Sequence, residues 1–338
     1  MQIKDYIKAE TLEEAYQEYH KGDRILLAGG TDLMVKASGK NSYKDLVFLD
    51  ISTIADLKKI KNEPAENEKA KKSGELNQTE IKRSEQTEQT EYNATEVIKI
   101  GSAVTLTELL EDPLIRKKLP LLRNAVSHVA NTQVRNRATL TGNLANACPA
   151  SDCIPALMML HAKVRIGNGT EIRTAEIQDM FQDCKACLRH EGMLVRTCFY
   201  ANPASKKLTL QPGEIIEEIE IPVQELSQKS CFFKLTPNRS SDMATLNLAM
   251  TGGLDEQGKI KAVDFCMGGA FPRPVCHKDL EEILLGKVPD EKAFHEYSEA
   301  AGKLLEGEEK LLADYSYKRQ AVPGLIREGL MTMFLPLC

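Results

Sequence analysis

The chain has 338 residues and a formal net charge of −5, and 28% of its residues are charged. This length is sufficient for two domains with separate cores. An acidic balance without a basic block argues against nucleic acid as a partner. No apolar run reaches the roughly 18 residues that span a bilayer, and the N-terminal residues lack a signal-peptide core, which predicts a cytoplasmic protein. The nine cysteines then indicate reduced thiols or metal ligands rather than disulfides.

Helix and strand patterns follow one another along the chain. Thr11 with Glu14 and Thr105 with Glu108 have capping-box spacing, and each pair predicts a short helix. The remaining predicted helices occupy residues 119–129, 154–161, 291–305 and 323–334. The predicted strands are 24–28, 47–51, 97–102 and 215–222, with hairpins at 164–172 and 245–267. This order predicts an α+β fold rather than a strict βαβ alternation.

Residues 61–96 interrupt the pattern, because they are mostly Glu, Lys, Gln, Asn, Ser and Thr. Such a segment cannot bury enough apolar surface to offset the loss of chain entropy. We expect a flexible surface insertion here, with docking of a partner as the alternative.

Two glycine-rich stretches are the most informative feature: AGGTDL at 28–33 and TLTGN at 139–143. Glycine allows positive φ and a close backbone approach, and successive N–H groups turned to one point can hold phosphate. Two such loops predict a dinucleotide whose pyrophosphate is held from both sides. The first loop lacks the G-x-G-x-x-G spacing of a Rossmann domain, and the chain has no P-loop motif, so another dinucleotide fold is expected.

An ordered set of segments carries a resemblance to a known family. The segments are LLAGGTDLMV at 26–35, IGSAVTLTEL at 100–109, QVRNRATLTGNLANACPASD at 133–152, EIIEEIEIP at 214–222, FFKLTPNRSSDMA at 232–244 and CMGGAFPRP at 266–274. Together they resemble the FAD-binding (medium) subunits of the xanthine dehydrogenase and carbon monoxide dehydrogenase family of molybdenum hydroxylases.

The resemblance implies a fold and a task. The fold is α+β: a two-subdomain PCMH-type FAD-binding domain over residues 1–224, then a C-terminal α+β domain of carbon monoxide dehydrogenase flavoprotein type over residues 229–338. The cofactor is noncovalent FAD, while molybdopterin and [2Fe-2S] clusters belong to partner subunits of a hetero-oligomer. The chain would pass electrons from the clusters to NAD+ or another acceptor, with a purine such as xanthine as a possible substrate of the complex. No side chain of this chain is expected to act as a catalytic acid or base.

The resemblance also implies a set of cofactor contacts. Pyrophosphate contacts are expected from the backbone N–H groups of Ala28, Gly29, Gly30, Thr31, Asp32, Leu33, Thr139, Leu140, Thr141, Gly142 and Asn143. The hydroxyl groups of Thr31 and Thr139 are expected as further donors, and Leu27 as a further cofactor-binding residue. Asp152 matches the position on the adenosine side of FAD, and Lys234 matches a lysine close to the flavin. Val129 and Ile216 match apolar positions beside the cofactor. Without the resemblance, Val129 and Ile216 would be core residues and Lys234 a solvated surface lysine.

A cysteine-rich segment departs from the family pattern. Cys184, Cys187, His190 and Cys198 could bind zinc or an iron–sulfur cluster, but ordinary reduced cysteines are the alternative. Cys148 and Cys153, near the second loop, are expected to be packing residues.

Two other functions stay open at this point. One is a flavin-binding redox sensor or carrier without turnover of its own, with the cysteine-rich segment as its reporter. The other is a stand-alone flavin reductase of the MurB-like type.

Overall fold

The strands in the described part of the chain form three separate sheets. The structure is a computed structural model and describes residues 3–37, 47–65, 95–181, 208–223, 228–238, 242–271, 273–276, 280–306 and 315–335. The strands are β1 (Asp5–Lys8), β2 (Arg24–Leu27), β3 (Val47–Asp50), β4 (Ile60–Pro64), β5 (Glu96–Gly101), β6 (Lys163–Gly167), β7 (Ile172–Glu176), β8 (Ile215–Pro222), β9 (Lys229–Leu235), β10 (Leu246–Leu254), β11 (Ile260–Gly268) and β12 (Val275–Cys276). The helices are α1 (Leu12–Tyr19), α2 (Leu33–Ala37), α3 (Leu106–Glu111), α4 (Pro113–Lys118), α5 (Pro120–Ser127), α6 (Thr132–Arg135), α7 (Leu140–Asn146), α8 (Cys153–Met159), α9 (Glu291–Lys303) and α10 (Tyr315–Phe334).

The first sheet is parallel, with strand order β1-β3-β2. Leu27 at the end of β2 lies beside Asp50 at the end of β3, so the carboxyl ends of these strands form one edge. The first glycine-rich turn leaves β2 at that edge. Loops at the carboxyl ends of parallel strands are where ligands bind in open α/β sheets. The parallel sheet therefore positions residues 28–33 for ligand contact.

The second sheet is antiparallel, with strand order β4-β5-β8-β6-β7. One face carries buried isoleucines of β5 and β8, which join α3, α4, α5 and α8 in the largest apolar core of the described residues. The other face is charged: Lys99 pairs with Glu63 at 2.8 Å and lies 3.7 Å from Glu220. Alternation along each strand thus separates a core face from a solvent face.

The third sheet belongs to the C-terminal part of the chain and has strand order β12-β11-β10-β9. Helices α9 and α10 pack in its own apolar core, with Phe294 and Tyr297 fully buried. Phe232, Ala249 and Cys266 instead join the core formed by the second sheet and α8. The two parts of the chain are therefore connected through a continuous apolar interface. No helix among the described residues is long and apolar enough to cross a membrane.

The α+β fold class is confirmed by the two antiparallel sheets and the small parallel one. Both hairpins form, and the capping box of Thr105 and Glu108 is present with both of its hydrogen bonds. The last helix was predicted to begin at residue 323 but begins at Tyr315, with Pro323 inside it. A Cβ on Gly302 would lie 2.8 Å from Pro323 Cγ, so close packing of α9 on the proline ring stabilises the longer helix.

Strand residues occupy both ends of the insertion that was predicted at residues 61–96. Residues 61–64 belong to β4, which pairs with β5 from Glu96 onward. Strand β4 is polar because it lies at the sheet edge and three of its five residues are exposed. Residues 66–94 lie outside the described residues, and their flexibility stays a prediction.

A buried hydrogen bond connects the parallel sheet's subdomain to the second sheet. Tyr16 of α1 donates to Glu217 Oε1 of β8 at 2.7 Å, and the two residues are 7% and 9% exposed. Burial, together with the bond to Glu217, raises the pKa of Tyr16 far above its ordinary value. The Tyr16 hydroxyl is therefore protonated at physiological pH and acts as the donor in this hydrogen bond.

We predict that Tyr16→Phe lowers the free energy of unfolding by about 1–3 kcal/mol, because Glu217 stays buried without its donor. Tyr19→Phe is the matched control: Tyr19 is on the same helix, and its hydroxyl has no hydrogen-bond partner among the described residues. Urea unfolding of both variants measures the difference. Equal losses in the two variants would contradict a specific role for the Tyr16 hydroxyl.

Candidate functional site

The first glycine-rich turn presents free backbone donors. Gly30 has φ of +73°, which favours glycine. The N–H groups of Gly29, Gly30, Thr31 and Asp32 donate to no acceptor within the described part of the chain. Successive free N–H groups around a left-handed residue form a concave nest for an anion. Residues 28–33 are half-buried, so the nest is accessible from one side.

The second stretch forms the start of α7. Thr139 caps this helix: its Oγ1 accepts from the N–H of Gly142 at 2.9 Å, and its carbonyl accepts from the N–H of Asn143 at 3.0 Å. These two N–H groups therefore already have acceptors within the chain, and contact of Gly142 and Asn143 with pyrophosphate stays a prediction. Leu140 and Thr141 remain as backbone donors of the first turn.

Thr141 also carries an unpartnered polar atom. Its side chain is 7% exposed, and its Oγ1 has no hydrogen-bond partner among the described residues. A buried hydroxyl without a partner is costly unless a ligand or water satisfies it. This is an observation in favour of a ligand at the second loop. The Leu140 side chain, in contrast, is fully buried in the core and can offer only its backbone.

The first glycine-rich stretch contacts the residues that directly precede the second, although the two stretches are far apart in the sequence. A Cβ on Gly29 would lie 2.2 Å from the carbonyl oxygen of Arg137, so only glycine permits this approach. Lys36 of α2 forms an ion pair with Asp32 and donates to Asn146 Oδ1 of α7 at 2.5 Å. The fold therefore brings together the two loops that the sequence predicts to grip one ligand.

A buried ion pair lies between the N-terminal and C-terminal parts of the chain. Lys234 of β9 donates to Asp152 Oδ2 at 2.6 Å and to the carbonyl oxygen of His128 at 2.9 Å. The side chains of Lys234 and Asp152 are 8% and 7% exposed. Asn247 of β10 donates to the other carboxylate oxygen of Asp152 at 3.0 Å. Burial raises the pKa of Asp152, while the ammonium of Lys234 acts in the opposite direction.

Asp152 and Lys234, for which separate roles on the adenosine side and near the flavin are predicted, are therefore in direct contact. Contact of either residue with FAD stays a prediction. Lys234 is also buried, so the alternative of a solvated surface lysine is wrong.

Val129 and Ile216 lie in or against the largest apolar core. Ile216 is 4% exposed and pairs with Ile166 across the strands β8 and β6. Val129 is half-buried, and its carbonyl oxygen accepts from Arg135 at 2.9 Å. Core packing accounts for both positions, and their contact with a cofactor stays a prediction.

Cys153 matches its predicted packing role, whereas Cys148 is half-buried and its packing role stays a prediction. Cys153 is fully buried, and burial raises the pKa of its thiol well above the ordinary value. The metal candidates Cys184, Cys187, His190 and Cys198 lie outside the described residues. Within the described ranges, no group of three or more His, Cys, Asp or Glu side chains could hold a metal ion.

Sequence reasoning missed Asn247, which orients Asp152 from the facing sheet. This residue is fully buried in the strand LNLAMTGGL, and its Nδ2 also donates to the carbonyl oxygen of Ser151 at 3.0 Å. A polar side chain inside an otherwise apolar strand was the available signal, since a buried amide needs partners.

Two models of known protein families match the sequence. The family model described as the FAD binding domain in molybdopterin dehydrogenase matches residues 78–224. The model of the CO dehydrogenase flavoprotein C-terminal domain matches residues 231–333. The chain belongs to the FAD-binding subunits of the molybdenum hydroxylase family. It is thus a subunit of an oxidoreductase, and the ion pair of Asp152 and Lys234 joins its two matched domains.

Individual relatives of this FAD-binding subunit agree with the family. The chain is 26% identical to the nicotinate dehydrogenase FAD-subunit of Eubacterium barkeri, over 83% of this chain and 79% of the relative. It is 26% identical to the xanthine dehydrogenase FAD-binding subunit of Escherichia coli O157:H7, over 80% of this chain and 75% of the relative. A chain in the structure of carbon monoxide dehydrogenase from Hydrogenophaga pseudoflava has the same fold, with a TM-score of 0.74 at 21% identity, over 98% of this chain and 96% of that chain.

We predict that Lys234→Met destabilises the FAD-binding subunit by about 3–5 kcal/mol at neutral pH, because Asp152 would remain buried without its cation. Without Lys234, the pKa of Asp152 rises further, and the protonated form is favoured in the folded state. The loss should therefore shrink as the pH falls from about 7 to about 4, where Asp152 becomes neutral.

Urea unfolding across this pH range measures the effect, with the double variant Asp152→Asn/Lys234→Met as the control. Replacing both charges should restore most of the lost stability, because no unpaired charge is then buried. If the double variant is as unstable as Lys234→Met, the ion pair is not the cause.

Proposed function

We propose that this chain is the FAD-carrying electron-transfer subunit of a molybdenum hydroxylase complex. In this proposal it takes electrons from [2Fe-2S] clusters of one partner subunit, while a second partner carries the molybdopterin and oxidises the substrate. The acceptor is NAD+ or another oxidant, and the cytoplasm is the proposed location. The observation that carries the proposal is the contact between the nest at Gly29–Asp32 and the start of α7, inside a matched FAD domain.

The residues at this contact fit the pyrophosphate of FAD. Four N–H groups of the first turn are free, and Leu140 and Thr141 follow Arg137, which Gly29 contacts, by only a few residues. In this proposal these N–H groups donate to one pyrophosphate. The unpartnered Thr141 hydroxyl could donate to the same phosphate. Backbone donors suit this task because they are fixed by the fold and need not reorganise on binding.

The ion pair of Asp152 and Lys234 fits a second part of the cofactor. Lys234 supplies a buried positive charge that could stabilise negative charge on a bound ring, and Asp152 could accept from hydroxyl groups. When bound, FAD would supply the junction between one-electron and two-electron carriers. The chain's own residues hold, orient and polarise the cofactor, and none needs to transfer a proton.

The C-terminal domain favours this proposal over the two alternatives. A match over residues 231–333 to a carbon monoxide dehydrogenase flavoprotein domain supports an electron-transfer subunit rather than a stand-alone reductase of MurB-like type. The named relatives belong to dehydrogenases of nicotinate and of xanthine, so substrate choice belongs to the proposed molybdenum subunit. A purine such as xanthine is the first substrate that we would assay.

We predict that Gly30→Val abolishes FAD binding, because a β-branched residue is strained at φ +73° and its Cβ would lie 2.9 Å from Leu27 Cδ1. The measurement is flavin stoichiometry of the purified protein after acid precipitation, which should release noncovalent FAD into solution. Flavin that stays in the pellet would contradict noncovalent binding.

Gly22→Val is the matched control, since Gly22 has φ of +76° but open space around its Cβ. This variant should suffer a similar backbone strain and yet keep its FAD. Near-complete occupancy in Gly30→Val, or equal loss in both variants, would show that the first turn does not hold the cofactor.

We also predict that the isolated chain does not oxidise a hydroxylatable substrate but moves electrons from NADH to an artificial dye, if NAD+ is its acceptor. The subunit should form a stable complex with a small cluster-bearing subunit in gel filtration. Substrate oxidation by the isolated chain, at the rate of the complete complex, would overturn the proposed division of labour. FAD binding without any complex would favour the redox carrier instead.

A further inference from the structure

Two cysteines of the C-terminal sheet face each other across adjacent strands. Cys266 of β11 and Cys276 of β12 are direct partners in the antiparallel register. Directly opposed residues in antiparallel strands have Cα atoms about 4.5–5.5 Å apart. Disulfides form when this distance is about 4.4–6.8 Å. The register therefore places the two side chains within bonding reach without a shift of the backbone.

The two thiols differ in their access to solvent. Cys266 is fully buried, and its Sγ lies 3.7 Å from Met158 Sδ of α8. Cys276 is half-buried and lies on the two-residue edge strand β12. Burial, and after it the neighbouring Cys276 thiol, raise the pKa of the Cys266 thiol well above its ordinary value. A small oxidant from solution would thus reach Cys276 first and find Cys266 behind it.

We propose that Cys266 and Cys276 are a reversible dithiol–disulfide site whose oxidant is a hydroperoxide. The Cys276 sulfur, once its proton has been lost to water, attacks the O–O bond: an S–O bond forms, the O–O bond breaks, and hydroxide or alkoxide leaves and takes up a proton from water. The Cys266 sulfur then attacks the sulfur of this sulfenic acid, an S–S bond forms, and water leaves. Two thiols lose two electrons in total, and the hydroperoxide gains them.

The disulfide would act on the interface between the two domains. Cys266 and Met158 belong to the apolar contact between the C-terminal sheet and α8, and Cys276 packs against the same core. Helix α8 begins directly after Asp152, which is held by Lys234 and Asn247 of the facing sheet. Closing the bond would fix β12 to β11 beside this helix. Oxidation would therefore restrict motion at one side of the interface. It would not involve the residues that are proposed to contact FAD.

The test uses the purified full-length chain and hydrogen peroxide, followed by alkylation and tryptic digestion without reductant. Trypsin cuts after Lys261 and Lys278 but not between Arg273 and Pro274, so both thiols fall in the single peptide 262–278. The expected product is this peptide without two hydrogen atoms and without alkyl groups. Dithiothreitol should restore two alkylatable thiols.

The native chain should form this disulfide at least about tenfold faster than the same chain in denaturing urea, because the strands hold the sulfurs in register. In Cys276→Ser, Cys266 should stay alkylatable, and in Cys266→Ala, Cys276 should proceed to sulfinic acid. Cys148→Ser is the control, since it removes another half-buried thiol and should leave the disulfide unchanged.

Three results would overturn the proposal. In the first, both thiols of peptide 262–278 are alkylated although Cys148 is oxidised. In the second, Cys276 of the native chain becomes sulfinic acid while Cys266 can still be alkylated. In the third, the disulfide forms at the same rate in urea and in buffer. None of these readouts depends on bound FAD. The thiol site and the proposed electron transfer can therefore fail independently of each other.

Discussion

The packing of Gly29 against the backbone of Arg137 is the contact on which the candidate site depends. A Cβ atom at residue 29 would lie 2.2 Å from the Arg137 oxygen, so any side chain there would force the two stretches apart. The same contact brings the parallel sheet's subdomain against the start of α7. Two loops that are far apart in the sequence are thereby held close together, and each has backbone donors for the proposed ligand.

Polar groups hold the other boundary, between the FAD-binding part and the C-terminal sheet. The apolar contact there involves Phe232, Ala249 and Cys266, and apolar packing alone tolerates small changes of register. The buried pair of Asp152 and Lys234 is less tolerant of such changes of register, because a shift would leave two charges without partners. Asn247 adds a further directional constraint. The ion pair thus supplies orientation, while the apolar residues supply most of the stabilisation.

Much of this could be predicted from the sequence, because local signals agreed with the fold. The capping box at Thr105, the hairpins and the glycine of positive φ at residue 30 depend on neighbouring residues, and these predictions were close. Contacts between distant segments carry no local signal. Nothing near Asp152 indicates that its partner is Lys234, and Pro323 looked like a helix start because the packing of Gly302 on it is tertiary. Strand β4 was missed because an exposed edge strand need not be apolar.

The small parallel sheet has a consequence for how the protein is made. Its core includes Ala15 and Leu49 but also Ala103 and Ile215, and Tyr16 bonds to Glu217, which is 201 positions further along the chain. The first glycine-rich turn is therefore synthesised early, but the subdomain that carries it can finish folding only late. Its apolar core is incomplete until β8 has left the ribosome. Contacts of such high sequence separation slow folding. Loading of the cofactor at the proposed site in residues 28–33 would therefore follow, rather than guide, the early steps of folding.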